Sequence, residues 1–100
     1  MKYILSFDIA KGKSVYCFIN SNKDIIIEPT SINHLKNEFD DLFIKVKDYD
    51  NLTVIMESTS IYHLPVENYF RSKDINTIVM NPKLVKQYKD TLNKSKTDKL

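Results

Sequence analysis

Three acids are the residues of this chain best suited to chemistry: Asp8 in Ser6-Phe7-Asp8-Ile9, Glu57 in Val54-Ile55-Met56-Glu57, and Asp98 in Lys96-Thr97-Asp98-Lys99. Asp8 and Glu57 end runs that otherwise read as buried strands, and carboxylates are seldom buried unless they are paired or hold a metal. Mg2+ and Mn2+ prefer such hard oxygen ligands, with substrate phosphate oxygens completing the shell. Two ions about 3.5–4 Å apart can activate the attacking oxygen and stabilise the leaving one in phosphoryl transfer. In that chemistry Asp8 would bridge, Glu57 would be the second ligand, and Asp98 would come from a C-terminal helix. A fourth acid three residues further on would share the helix face of Asp98. That position lies just past Leu100, so the site is expected to be incomplete here. Taken singly, each acid has an ordinary explanation: a strand end facing water or accepting backbone N–H bonds, or a carboxylate at a helix start. Their joint occurrence at places one fold can bring together is what favours the metal.

The elements that must position these acids can be read from periodicity. Tyr3-Ile4-Leu5-Ser6-Phe7, Ser14 to Ile19, and Ile25-Ile26-Ile27 closed by Pro29 read as three strands joined by tight turns. Gly12, the only glycine, lies in the first turn, and Asn20 to Asp24 form the second. The period then changes. Ile32, Leu35, Phe39, Leu42, Phe43 and Val46 mark one face of a helix from about Ser31, a good N-cap, to about Asp48. Leu52 to Met56 is a buried strand. A second helix starts near Tyr62, with Pro65 in its first turn and Val66, Tyr69 and Phe70 inward. Asn76 to Met80 is the last strand. Asn81-Pro82 then opens a third helix to about Thr91. The order β-β-β-α-β-α-β-α predicts a mixed α/β sheet of five strands with helices on its faces. It resembles the ribonuclease-H-like (RuvC-like) fold, in which the first and fourth strands lie side by side. That resemblance implies that Asp8 and Glu57 meet.

Composition fits one soluble domain: 42% hydrophobic and 28% charged residues over 100 positions. The single cysteine, Cys17, excludes an intrachain disulfide and reads as a small core residue. No apolar run is long enough to span a membrane, and Asp8 interrupts any signal-peptide core, so a cytoplasmic location is expected. The net charge of +2 hides an asymmetry. Residues 1–80 carry 9 Lys/Arg against 11 Asp/Glu, whereas residues 81–100 carry 6 lysines against Asp90 and Asp98. A basic end is the footprint of phosphate contact, or simply of a solvated helix face.

Four blocks together carry a more specific signal: Phe7-Asp8-Ile9-Ala10-Lys11; Met56-Glu57-Ser58-Thr59-Ser60-Ile61-Tyr62-His63-Leu64-Pro65; Val79 to Tyr88; and Lys94-Ser95-Lys96-Thr97-Asp98-Lys99. In this order they resemble the N-terminal, RuvC-like domain of the IS-one-ten group of insertion-sequence transposases, the DEDD recombinases. The resemblance spans the whole chain, so residues 1–100 are expected to be that domain, cut before its fourth acid and without the C-terminal domain. It implies Mg2+-dependent (or Mn2+-dependent) DNA cleavage and strand transfer during transposition, guided by a structured RNA. It also implies DNA as substrate and a homo-oligomer, with no membrane partner. The serine nucleophile of the family belongs to the C-terminal domain, and no serine here inherits that role. Where the family usually has glycine, this chain has Ser60, expected to stiffen its loop.

Lys11 and Lys13 in the first turn, and Lys83, Lys86, Lys89 and Lys96 near the C-terminus, could contact nucleic-acid backbone. Tyr88 among them fits base stacking or core packing. His63 is expected as a hydrogen-bonded residue at a helix start that could also approach a phosphate, and His34 as a surface residue. Two alternatives remain. A non-catalytic RNA- or DNA-binding module would use the same fold and lysines without the acids. An actin-like or sugar-kinase ATPase would need glycine-rich phosphate turns, which a chain with Gly12 alone lacks.

Overall fold

A computed structural model of the chain describes residues 1–82. Strand β1 (Tyr3–Ala10) turns back into β2 (Lys13–Asn20), and β2 into β3 (Ile25–Asn33). Helix α1 (Lys36–Val46), strand β4 (Leu52–Glu57), helix α2 (Leu64–Ser72) and strand β5 (Asn76–Met80) follow. The sheet order is β3-β2-β1-β4-β5, with β2 antiparallel to both neighbours and β1, β4 and β5 mutually parallel. Both parallel connections pass through a helix, as a crossover between parallel strands requires. The fold class expected from the element order is the one observed.

Local chemistry explains the turns. Ala10 pairs with Lys13, leaving Lys11 and Gly12 as a two-residue turn whose second residue has φ +72°, where a Cβ would be strained. In the second turn the Asn20 side-chain oxygen accepts from the backbone N–H groups of Asn22 (2.9 Å) and Asp24 (3.0 Å), so a side chain does the work of a backbone turn.

Two boundaries differ from the sequence expectation. β3 does not close at Pro29 but continues to Asn33. It is an edge strand, and its register shifts where Tyr16 pairs with Thr30 while Phe18 pairs with Ile27. Pro29 therefore falls in a bulge, where a missing N–H costs no ladder bond. In consequence Ser31 and Ile32 are strand residues, and α1 starts at Lys36 rather than Ser31. No side chain caps α1 at Leu35; instead Glu38 reaches back to the backbone N–H (3.0 Å) and Nδ2 (3.1 Å) of Asn33. Similarly α2 starts at Leu64, with Pro65 in the first turn and Tyr62 in the preceding turn.

One hydrophobic core results. Leu5, Phe7, Tyr16, Phe18, Val54 and Met56 from the sheet meet Phe39, Leu42 and Val46 of α1 and Val66 and Phe70 of α2. Aromatic rings bind the layers together, with Phe7–Phe70 centroids 5.6 Å apart and Phe39–Tyr69 5.1 Å apart. Both helices thus cover the same face of the sheet. No described helix is long and apolar enough to cross a membrane. The third helix expected as far as Thr91 falls outside the described residues beyond Pro82.

Candidate metal centre at the ends of β1 and β4

The parallel ladder between β1 and β4 runs from Tyr3↔Leu52 to Phe7↔Met56. Phe7 and Met56 are buried in the core, and successive strand residues face opposite sides. Asp8 and Glu57, the next residue on each strand, therefore both project from the sheet face away from the helices. Neighbouring strands lie about 4.8 Å apart, so the two carboxylates share one end of the sheet. Pairing of strands far apart in sequence, not proximity along the chain, brings them together.

The two acids border one cavity of about 360 Å3, lined by Phe7, Asp8, Ile9, Glu57 and Thr59. Asp8 is exposed and Glu57 half-buried, and among the described residues neither carboxylate makes a hydrogen bond or ion pair. Asp8 also borders a hollow of about 170 Å3 lined by Ala10, Lys13, Ser14, Val15 and Ser31, which sets a lysine on its far side. Lys11 and Lys13 flank Gly12 at the same end of the sheet, both exposed. Thr59 was not singled out in the sequence, although its place two residues after Glu57 would have been the signal.

A divalent cation fits the donor set in kind. Both residues offer hard carboxylate oxygens without a protein partner, and no thiol lines the cavity. In number they fall short: no group of three or more His, Cys, Asp or Glu gathers among the described residues. Asp98, the expected third ligand, lies outside the described residues, as do Lys83, Lys86, Lys89, Lys96 and Tyr88.

The two histidines do other work. His63 is buried at the N-cap of α2, with Nε2 3.5 Å from Glu67 Oε1, and Glu67 Oε2 accepts from Arg71 Nε at 2.9 Å. Its Nδ1 is the one buried side-chain polar atom without a hydrogen-bond partner among the described residues. His34 departs from its expected surface role. Its Nε2 lies 2.7 Å from Ser14 Oγ, its ring lies against Phe39, and its N–H donates to the Gly12 carbonyl at 3.0 Å. Partial burial lowers its pKa from the usual 6.5. His34 thereby fastens the Lys11–Gly12 turn to the start of α1.

At the other end of the sheet a hollow of about 440 Å3 is lined by Lys47, Asp50, Lys73 and Asp74 among others. Its charges balance, and Lys73 Nζ is already engaged over the rings of Phe43 (5.2 Å) and Tyr69 (5.4 Å).

Comparison with known proteins agrees with the geometry. Residues 5–100 match the DEDD transposase family of the IS110 group. The chain belongs to that family. Among solved structures it is similar to the Holliday junction resolvase of fowlpox virus, with 23% identity and a TM-score of 0.51. That alignment covers 80% of this chain and 61% of the resolvase chain, and it shows a shared ribonuclease-H-like fold. No curated protein matches significantly. In this transposase-family domain Ser60 has φ +50°, so the loop after Glu57 adopts a left-handed backbone that suits glycine better.

Proposed function

We propose that this chain is the catalytic, RuvC-like domain of an insertion-sequence transposase, cleaving and joining DNA strands with Mg2+ or Mn2+. The observation that carries the reading is the pair of unpartnered carboxylates, Asp8 and Glu57, on one face of adjacent parallel strand ends and bordering one cavity. Asp8 and Glu57 would hold the cation, with Asp98 as a third carboxylate ligand and, on the family's pattern, a fourth acid beyond it. The cation, when bound, supplies Lewis-acid activation of the attacking oxygen and charge stabilisation of the leaving one. Thr59 lines the cavity and can hydrogen-bond a phosphate oxygen there. Lys11 and Lys13 hold the DNA backbone beside the site, and Lys83, Lys86, Lys89 and Lys96 extend that contact without reading sequence.

From the family come the remaining parts of the proposal. Residues 1–100 form the first domain of a longer recombinase whose second domain brings a serine nucleophile. The assembly is a homo-oligomer, works in the cytoplasm, and takes DNA together with a structured guide RNA. Calorimetric titration of Mn2+ into the chain tests the core of the reading. Binding that weakens in Asp8→Asn and again in Asp8→Asn/Glu57→Gln supports it; equal affinity in wild type and double variant sinks it.

A second reading has one observation in its favour, the lack of a third ligand among the described residues. As a non-catalytic nucleic-acid module the chain would bind DNA or RNA with strong salt dependence, indifferent to chelator and to Asp8→Asn.

A further inference from the structure

The turn between β1 and β2 is tied to the helix layer through His34, which lies at the junction of β3 and α1. His34 donates its backbone N–H to the Gly12 carbonyl at 3.0 Å, and its Nε2 lies 2.7 Å from Ser14 Oγ. The two bonds land on either side of Lys13. Ser14 is only 3% exposed, so its hydroxyl needs the partner that His34 provides. The imidazole in turn lies against Phe39, with ring centroids 5.9 Å apart. Burial lowers the His34 pKa, and the neutral ring offers one donor and one acceptor nitrogen, so either partner of the Ser14 bond can donate. The residue before it is fixed as well, since Glu38 accepts from the backbone N–H (3.0 Å) and Nδ2 (3.1 Å) of Asn33.

We propose that His34 is a positioning residue: by holding Gly12 and Ser14 it fixes Lys13 beside Asp8, where the ammonium meets a nucleic-acid phosphate next to the acidic cavity. Successive strand residues face opposite sides, so Ser14 turns toward α1 while Lys13 turns away. Lys13 pairs with Ala10, and both line the hollow of about 170 Å3 that Asp8 and Ser31 also border. Asp8 pairs with Val15, two residues along β2 from Lys13, which sets the lysine about 7 Å along the sheet from the acid. The turn has little packing of its own. A Cβ on Gly12 would meet nothing within 4 Å, and both lysines are exposed. Its place is therefore set by its ladder pairing and by His34, and a long flexible cation gains most from a root that does not move. The contact with nucleic acid rests on the reading of Lys13 given above; the fixing of the turn does not.

The test is binding of a fluorescein-labelled DNA duplex to the full chain, followed by anisotropy in chelator over a range of KCl concentrations. His34→Phe keeps a ring against Phe39 and removes the bond to Ser14, and Ser14→Ala removes it from the other side. The backbone bond from His34 to Gly12 survives in both. Each phosphate contact contributes about 0.9 to the slope of log affinity against log salt. Lys13→Gln should therefore lower the slope by about 0.9, and His34→Phe and Ser14→Ala by most of that amount. Adding His34→Phe to Lys13→Gln should lower it no further, because the two act through one contact. His34→Gln, whose amide reaches the place of Nε2, should restore the wild-type slope. Lost stability alone does not move a salt slope measured well below the melting temperature. A slope lowered by Lys13→Gln but untouched by His34→Phe and Ser14→Ala overturns the inference. So does a slope as low in His34→Gln as in His34→Phe, since the hydrogen bond would not be the cause. A slope untouched by Lys13→Gln, or no measurable binding, sinks instead the reading of Lys13 as a DNA contact. Amide hydrogen exchange at Gly12 and Lys13 then decides the positioning by itself: exchange about tenfold faster in His34→Phe and Ser14→Ala upholds it, and equal exchange overturns it.

Discussion

The acids of the helices and the acids of the strand ends live differently. On the helix side Asp40, Glu67 and Glu38 each have a partner. Asp40 accepts from the Tyr69 hydroxyl at 2.5 Å and from Lys36 Nζ at 2.9 Å, Glu67 joins His63 to Arg71, and Glu38 caps α1 through Asn33. At the strand ends Asp8 and Glu57 lie side by side with no partner among the described residues. Asp40 braces α1 against α2, Glu67 works within α2, and Glu38 ties α1 to the end of β3. The second set border one open cavity, where no described protein group satisfies them. Acids that stabilise a fold are satisfied by it; acids left unsatisfied in a shared cavity await something else.

The largest expected effect tests that contrast directly. Asp8→Asn/Glu57→Gln should weaken Mn2+ binding by at least ~100-fold, because even loss of an outer-shell partner costs about 10–100-fold. Its melting temperature without metal should stay level, since neither carboxylate bonds to the described fold; a clear fall would place these acids in the structural class.

Tyr69→Phe should do the reverse. Losing one hydroxyl hydrogen bond should lower the melting temperature by roughly 4–8 °C while leaving Mn2+ affinity as it was. Calorimetry of the two properties in parallel decides. The pH dependence sharpens this. The hydrogen bond from Tyr69, and then that from Lys36, hold Asp40 below its usual 3.8. A depressed carboxylate stabilises the fold above the unfolded value and loses that contribution as pH falls through the folded one. The gap in melting temperature between wild type and Tyr69→Phe should thus stay open above pH 3.8 and close below it.

The smallest effect concerns the loop that carries Glu57 into α2. Ser60 at φ +50° should welcome glycine, and Ser60→Gly should raise stability by about 0.5–1 kcal/mol in thermal melts. A loss would mean that the Ser60 side chain holds the loop in place.

Much of this was legible in the chain because strand alternation and turn chemistry are local. Leu5, Phe7, Val54 and Met56 lie in the apolar runs that read as strands, and all four are core. Ile32 shows where local reading fails. It fits the helical spacing of Phe39, Leu42 and Val46 and is buried with them, but it arrives there from β3. A core rewards an apolar side chain from either element, so periodicity near a strand–helix junction does not tell which backbone delivers it. Pro29 misled in the same way, because whether it breaks a strand depends on that strand lying at the sheet edge with a bulge to absorb it. His34 read as a surface residue because its partner Ser14 is 20 positions away in sequence.

By itself the sequence determined the order of the seven described elements and the placing of Asp8 and Glu57 at the ends of strand-like runs. It could not decide that these acids meet. That adjacency and the bulge at Pro29 were decided by the sheet order β3-β2-β1-β4-β5. The physical reason is that side-chain period and turn preference are set within a few residues. Which strand lies beside β1 is set by the packing of α1 and α2 over one common core.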